Sequence, residues 1–309
     1  MKIQILMSTY NGARYLRTQL DSIIRQTIKE KRLLIRDDGS TDNTMEILHE
    51  YQEKYSWIKV YRGNNLGVQK SFFELIEKSD PMADYIAFAD QDDDWLPEKL
   101  EHAVNKLKEL SLINSKKPIP LLYCGGQIMV DEQLQPLDVT VSRVVRIPAF
   151  GNALVQNICT GCTAVINQNL AQLIRENIPV NTDAIVMHDW WLYLTASCFG
   201  EVFYDDVPYI RYRQHGKNAH GAILNKRTLF RYRLEQLTKP RGEIYKQVES
   251  FEITYRNKIK ADQNKLIRDL INSKNNLLCR FLVATQKKYF RQKRSDDLVF
   301  RGIVLLGKL

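Results

Sequence analysis

The first hundred residues alternate between short apolar runs and stretches in which apolar side chains recur every three or four positions. The short runs predict buried strands, and they cover residues 3–7, 32–36, 58–61 and 84–88. Between them the spacing is helical, as with Leu16, Leu20 and Ile23, which fall on one face of a helix. The pattern therefore predicts a strand followed by a helix, repeated four times.

Repeated strand-helix units are typical of an α/β fold with a mainly parallel, doubly wound sheet and right-handed crossovers. In such a sheet, ligands bind at the carboxyl ends of the strands, near the point where the strand order reverses. Polar segments follow the first, second and fourth strands, at residues 8–12, 37–40 and 90–92. We expect these segments to converge in space.

The most acidic of these segments has four carboxylates in five positions, Asp90, Asp92, Asp93 and Asp94. A strand that ends in such a cluster directs hard oxygen ligands at one point, which suits a divalent cation and the phosphates it bridges. A solvated acidic turn before the helix that begins near Pro97 is the alternative. The cluster alone leaves both interpretations open.

Two common nucleotide-binding motifs are missing after the first strand. The segment at residues 8–12 fits neither G-x-G-x-x-G nor G-x-x-x-x-G-K, which argues against NAD and against P-loop ATP chemistry. The remaining hypothesis is a nucleotide whose base is bound by polar groups and an aromatic ring, and whose phosphates are held by a metal.

Charge divides the chain near residue 225. Residues 226–309 contain 21 Lys and Arg against 8 Asp and Glu, whereas residues 1–225 contain 24 against 28, so the net charge of +9 comes from the last quarter. We therefore predict a globular domain at 1–225 and a basic, mainly helical extension at 226–309. The chain has no apolar run long enough for a transmembrane helix and no signal-peptide pattern at its start, so we expect a cytosolic protein.

The five cysteines are scattered along the chain, which favours reduced thiols. Cys159 and Cys162 have C-x-x-C spacing, but no second cysteine pair or nearby histidine pair completes a zinc site. Structural or incidental cysteines are therefore the preferred interpretation.

Several segments in order resemble the signature of glycosyltransferase family 2, the inverting enzymes with a GT-A fold. The similar segments lie at residues 8–12, 37–42, 67–72 and 89–95, within a resemblance that spans about 1–220. Inside the family, the chain resembles the rhamnosyltransferases of streptococcal cell-wall polysaccharide synthesis. The resemblance implies a GT-A nucleotide-binding sheet flanked by helices.

The resemblance also implies roles for residues on the donor side. Ser8 and Tyr10 would lie at the nucleotide, with Tyr10 stacked on the base and Asp38 hydrogen-bonded to it. Asp90 and Asp92 match the DXD motif, so Asp90 would contact the ribose or the metal. Asp92 would ligate Mn²⁺ or Mg²⁺ against the diphosphate, where the ion stabilises the charge of the leaving group.

On the acceptor side, Asp189 matches the family's catalytic carboxylate, the general base that an inverting transfer needs. Its alternative role is an N-cap of the following helix, with the adjacent tryptophans in the core. His188 is a second candidate for the base. Gly161 falls where the family has a glycine loop facing the acceptor, and Trp190 is placed on the same acceptor or sugar side.

His215 resembles the metal-ligating histidine found late in many GT-A enzymes, although a lone histidine in a loop is often without a function. An imidazole beside carboxylates would favour Mn²⁺ or a tolerant site. Helix capping is the preferred role for Asp94. The roles of Asp93 and Cys162 are left open.

The basic extension carries apolar and aromatic residues among its lysines and arginines. The relevant apolar residues are Leu229, Phe230, Leu234, Leu237, Phe281, Leu282, Tyr289 and Phe290. Basic helices with an apolar face suit an anionic membrane surface. A homo-oligomer contact around residues 298–309 is the second interpretation, and no nucleic-acid module accompanies the basic stretch.

Together these features predict a metal-dependent inverting glycosyltransferase, peripheral on the inner face of the cell membrane. The resemblance suggests dTDP-L-rhamnose as donor and a lipid-linked cell-wall saccharide as acceptor. A sugar nucleotidyltransferase is one alternative, but the Gly-rich, Arg- and Lys-bearing loop expected after its first strand is missing. A non-catalytic membrane scaffold is the other.

Overall fold

The computed structural model describes residues 1–114, 118–138, 144–215 and 242–309. Strands and helices alternate regularly through its first third. In order they are β1 (Ile3–Thr9), α1 (Ala13–Ile24), β2 (Lys31–Asp37), α2 (Thr44–Lys54), β3 (Ile58–Arg62), α3 (Val68–Glu77), β4 (Tyr85–Ala89), β5 (Asp94–Trp95) and α4 (Lys99–Ile113). The four predicted strands agree with β1 to β4 within two residues at each end.

The remaining described residues complete the body and add a group of helices. The body continues with β6 (Leu121–Gly125), β7 (Ile128–Val130), α5 (Phe150–Ala153), β8 (Val165–Asn167), α6 (Gln168–Arg175), α7 (His188–Phe199), β9 (Glu201–Asp205) and β10 (Ile210–Arg213). Short 3₁₀ turns occur at Gly161–Thr163 and Thr182–Ala184. The C-terminal helices are α8 (Glu243–Tyr255), α9 (Ala261–Asn272), α10 (Leu277–Thr285) and α11 (Arg294–Leu305).

The main sheet has seven strands in the order β3-β2-β1-β4-β8-β6-β9. Strands β1 to β4 are parallel, and Ile5 of β1 pairs with Leu33 on one side and Ala87 on the other. Strand β8 runs antiparallel to both neighbours, whereas β6 and β9 are parallel. A small second sheet has the order β5-β10-β7. The mainly parallel α/β sheet predicted from the sequence is confirmed.

Both faces of the main sheet are buried, which explains why β1 and β4 are continuous apolar runs rather than alternating ones. Leu6 and Phe88 belong to the cluster on one face, and Ile5 and Ala87 to the cluster on the other. Helices therefore cover both sides and leave the carboxyl ends of the strands as the polar edge.

The C-terminal helices share the core of the body. Trp191 of α7 contacts Phe251 and Tyr255 of α8, with ring centroids 5.3 and 6.1 Å apart. A Cβ atom at Gly151 would lie 2.1 Å from the Lys288 carbonyl oxygen, so α5 and the chain after α10 are in direct contact. The predicted boundary at residue 225 lies outside the described residues and stays a prediction.

Of the apolar residues predicted to face a membrane, some are buried and others are exposed. Tyr289 and Phe290 are buried, so this part of the predicted face is wrong, while Phe281 and Leu282 are exposed. Leu229, Phe230, Leu234 and Leu237 lie outside the described residues. Among the helices that the structure describes, none combines the length and apolar character that crossing a bilayer requires.

Candidate functional site

The polar segments after β1, β2 and β4 meet at one edge, because these three strands are neighbours in the sheet. The Asn11 N–H donates to Ser40 Oγ at 2.9 Å, which joins the first two segments. Gln91 joins the first to the third: its Oε1 accepts from the Tyr10 N–H at 2.9 Å and its Nε2 donates to the Tyr10 carbonyl at 3.1 Å. The expected convergence is therefore present.

Asp38 organises the loop beside this edge. Its carboxylate accepts from the Arg36 guanidinium and from the backbone N–H groups of Leu66 and Gly67, the latter two at 2.8 Å. Gly67 has a φ of +80°, which glycine adopts without strain, and α3 begins directly after it. With only 2% of its surface exposed, Asp38 has an evident role in the fold, and its contact with a base stays a prediction.

The side chains predicted beside Asp38 differ in exposure. Tyr10 follows β1 and is 47% exposed, so its ring offers a surface on which a planar ligand could stack. Ser8 is partly buried, and its Oγ lies 2.6 Å from Ser71 Oγ. Of the two, Tyr10 offers the larger contact surface to a nucleotide.

Asp92 and His215 approach each other directly. His215 Nε2 lies 2.8 Å from Asp92 Oδ2, although Asp92 follows β4 and His215 follows β10. Burial, together with the charges of Asp92 and Asp189, raises the pKa of Asp90 to about 7. A divalent cation would relieve this repulsion, and a donor set of carboxylates with one imidazole suits Mn²⁺. The residues present therefore fit a metal.

Arg213 fixes the geometry of this pair. It is buried in β10, and its Nε donates to the Asp92 carbonyl at 2.7 Å while its Nη1 donates to the Glu132 carbonyl. Its backbone N–H donates to Asp93 Oδ1 at 3.1 Å. This arginine therefore connects the acidic loop to β10, the strand that precedes His215.

Tyr15 completes the support from α1. Its ring stacks on His215 with centroids 5.0 Å apart, and the Arg213 guanidinium carbon lies 4.6 Å from the same ring centroid. The imidazole is therefore held on one face by an aromatic ring and near its ring nitrogen by Asp92. The sequence indicated neither Tyr15 nor Arg213 as part of this support.

Behind the acidic loop lies a buried ionisable cluster. Ligand atoms of Asp90, Asp93 and Cys162 lie within 4.8 Å of one another, and Cys159 is not part of this group. Burial raises the pKa of both Asp93 and Cys162. Lys99 is buried beside them with its Nζ 3.7 Å from the Trp95 ring centroid, and burial lowers its pKa to about 8.

Asp94 has a different role from the predicted one. It lies in β5 and accepts from Arg25 at 2.9 Å and from Arg211 at 2.7 Å, while the N-cap position of α4 is Glu98. Helix capping is therefore wrong for Asp94. The carboxylate instead joins the end of α1 to the small sheet, because two guanidinium groups can each bind one of its oxygens.

Asp189 lies in the first turn of α7, where the N-cap is Met187, so the predicted capping alternative is wrong. Its Oδ1 accepts from Asn157 Nδ2 and its Oδ2 from the Gly161 N–H, both at 2.9 Å. These two donors fix the plane of the Asp189 carboxylate. Its negative charge is one of those that raise the pKa of Asp90. Asn157 was missed by sequence analysis, since nothing in its own segment marks it.

Gly161 donates to this carboxylate, and Trp190 is the next residue of α7. A Cβ atom at Gly161 would lie 2.9 Å from His188 Nε2, so only glycine allows the close approach to α7. The Trp190 indole N–H donates to the Ala153 carbonyl at 2.6 Å, and the side chain is largely buried. Their contacts with an acceptor stay predictions.

His188 does not suit the role of general base. Its ring is buried against Phe72, with centroids 4.0 Å apart, and neither ring nitrogen has a hydrogen-bond partner among the described residues. Burial lowers its pKa to about 3, so the imidazole stays neutral near pH 7 and is a poor proton acceptor. Asp189 is therefore the better placed of the two candidates.

Comparisons with known proteins agree with this architecture. Residues 4–114 match the model of glycosyl transferase family 2. RfbG, a dTDP-rhamnosyl transferase of Shigella flexneri, is 32% identical over 250 residues, which cover 78% of this chain and 81% of that protein.

Solved structures share the GT-A fold at low identity. TarS of S. aureus, crystallised with UDP-GlcNAc as its residues 1–349, has a TM-score of 0.55 and 17% identity, covering 99% of this chain and 91% of that one. The mannosyltransferase PcManGT of Pyrobaculum calidifontis, in complex with GDP-Man and Mn²⁺, has a TM-score of 0.53 and 15% identity, covering 99% and 85%.

The Arg213 contacts predict weaker metal binding when this side chain is replaced. We expect Arg213→Met to weaken Mn²⁺ binding by about tenfold or more, since partners that orient metal ligands typically contribute that much. Electron paramagnetic resonance of free Mn²⁺ measures the affinity. Arg211→Met is the matched control from the same strand, because Asp94 keeps Arg25. Equal Mn²⁺ affinity in folded Arg213→Met and wild type would contradict the assignment.

The buried imidazole of His188 predicts acid sensitivity. The unfolded chain binds a proton below a pKa of about 6.5, whereas folded His188 stays neutral down to its pKa of about 3. Stability is therefore lost as pH falls through this window. Between about pH 7 and 5 the loss from His188 is about 2 kcal/mol. His188→Phe, which keeps a ring against Phe72, should lack this component in urea unfolding, and an unchanged pH dependence would refute it.

Proposed function

Since the chain belongs to glycosyltransferase family 2, we propose that it transfers L-rhamnose from dTDP-L-rhamnose to a saccharide hydroxyl, with inversion at the anomeric carbon. The identity shared with the dTDP-rhamnosyl transferase RfbG over most of both chains carries the choice of donor. The convergence of Asp90, Asp92, His215 and Asp189 supports the reaction class.

On the donor side, Tyr10 stacks on the thymine ring while Ser8 and Asp38 complete the nucleotide site. Asp90 binds the ribose, and Asp92 and His215 would hold Mn²⁺ or Mg²⁺. Such an ion would supply positive charge to offset the negative charge of the departing diphosphate. The loop fixed by Asp38 and the bond of Gln91 to Tyr10 preorganise these groups, so little reorganisation is needed when the donor binds.

On the acceptor side, Asp189 accepts the proton of the attacking hydroxyl. The hydroxyl oxygen forms a bond to the anomeric carbon as the bond from that carbon to the diphosphate oxygen breaks, and its electron pair leaves with dTDP. The hydrogen bonds from Asn157 and Gly161 keep the carboxylate oriented toward the reacting atoms. Trp190 and the Gly161 turn form the wall beside the sugar.

We place the acceptor on a lipid carrier, as part of a cell-wall polysaccharide, with the enzyme peripheral on the inner face of the membrane. The basic extension supports this location, since 21 Lys and Arg against 8 Asp and Glu give residues 226–309 an affinity for anionic surfaces. Release of dTDP rather than pyrophosphate separates this function from a sugar nucleotidyltransferase.

A base at Asp189 is tested by Asp189→Asn, which keeps the contacts to Gly161 and loses the proton acceptor. We expect dTDP release in the presence of dTDP-L-rhamnose, Mn²⁺ and a lipid-linked acceptor mimic to fall by about 10²-fold or more. Asp183→Asn is the matched control, because Asp183 is exposed in a nearby turn and pairs with Lys70. Full activity in folded Asp189→Asn would remove Asp189 as base, and the absence of turnover in the wild type would reject the donor.

A further inference from the structure

Helix α10 presents one apolar face to solvent. Leu278 and Phe281 are 75% and 62% exposed, and Leu277 and Leu282 are exposed beside them. These positions recur with helical spacing on one side of α10, while Val283 on the other side is buried in the core. An apolar helix face of this kind is unusual on a surface that has no partner.

The neighbouring helix α11 also exposes leucine side chains to solvent. Leu298 and Leu305 are exposed seven residues apart, and Arg294 lies one turn before Leu298 on that side of the helix. We call the exposed residues of both helices the C-terminal apolar face, defined by Leu277, Leu278, Phe281, Leu282, Leu298 and Leu305.

The cations in or next to α10 and α11 in the sequence fall into two groups. Arg280 and Arg301 donate to backbone carbonyls, at Ser273 and Ala284 among others, and so belong to the fold. The exposed cations form a second group, whose side chains make no ion pair among the described residues. They are Lys274, Lys287, Lys288 and Arg294.

We propose that the C-terminal apolar face docks on an anionic phospholipid bilayer. Exposed leucines and a phenylalanine supply the part that enters the boundary between headgroups and acyl chains, and the unpaired cations contact the headgroups. Each Lys or Arg near such a surface strengthens binding about fivefold. Residues 274–309 contain nine Lys and Arg against two Asp and Glu, so the charge complements that of the lipid.

A second copy of the chain is a weaker occupant, because an isologous contact would bring the same unpaired cations together. Aliphatic side chains dominate the face, and they offer no stacking platform for a nucleic acid. The inference deepens the membrane part of the proposed function. It identifies the surface and moves the contact away from Tyr289 and Phe290, which are buried.

The test is co-sedimentation of the full chain with vesicles. We compare vesicles of phosphatidylcholine alone with vesicles that also contain phosphatidylglycerol, without donor or acceptor. The variants are Leu278→Ser with Phe281→Ser, Lys287→Gln with Lys288→Gln, and the control Leu112→Ser with Ile113→Ser. The control removes two equally exposed apolar residues at the end of α4.

We expect the wild type to bind the anionic vesicles, with binding weakened by salt, and the Leu278/Phe281 variant to bind about tenfold less. The Lys287/Lys288 variant should bind about 25-fold less, at about fivefold for each lysine, and on anionic vesicles only. The Leu112/Ile113 control should bind as the wild type does.

Two results would overturn the inference. One is anionic-vesicle binding that is absent in the wild type or unchanged in the Leu278/Phe281 variant. The other is a wild-type dimer that this variant converts to a monomer in size-exclusion chromatography without a change in vesicle binding. Because the assay involves no sugar transfer, its failure leaves the proposed reaction intact.

Discussion

The contact between Asp92 and His215 joins the main sheet to the small second sheet. The two residues are 123 positions apart in the sequence, yet His215 Nε2 lies 2.8 Å from Asp92 Oδ2. The position of Asp92 is set by the end of β4, a buried parallel strand, and the position of His215 by β10, a short strand of the second sheet. Several carboxylates crowded at one point are costly unless a cation compensates them, so the rest of the site must hold its shape against that repulsion.

The structure resists this repulsion mainly through its arginines and backbone N–H groups. Arg213 donates to the Asp92 carbonyl in the acidic loop, while Arg25 and Arg211 form ion pairs with Asp94 at the end of that loop. Asp189 accepts hydrogen bonds from the Asn157 side chain and the Gly161 N–H, which both lie in the segment between α5 and β8. The hydrogen bonds and ion pairs that stabilise this edge would also preorganise it for the nucleotide and the metal that we propose.

Much of this architecture could be predicted because its signals are local. The strands β1 to β4 follow from apolar runs, and their parallel order explains why Tyr10, Asp38 and Asp90 reach one edge. The supporting residues could not be predicted, since Arg213 and Asn157 acquire their roles only through contacts distant in sequence, with Asp92 and Asp189. Asp94 was misassigned for the same reason, because its two arginine partners lie 69 and 117 positions away.

The C-terminal helices show the limit of reading charge along a sequence. Their basic composition predicted a helical extension of the body, and Phe251 and Tyr255 of α8 pack against Trp191 of α7. Burial then decides which residues remain for a partner. Arg280 and Arg301 donate to backbone carbonyls, whereas the lysines at 274, 287 and 288 and the leucines of the C-terminal apolar face are exposed.

We propose that Asp92 and His215 hold one divalent ion at the nucleotide. A crystal structure with Mn²⁺ and dTDP, using the anomalous signal of manganese, tests it directly. We expect one strong peak coordinated by Asp92, His215 and the diphosphate, with the thymine ring against Tyr10. A peak at the cluster of Asp90, Asp93 and Cys162, or a nucleotide bound away from this edge, would contradict it.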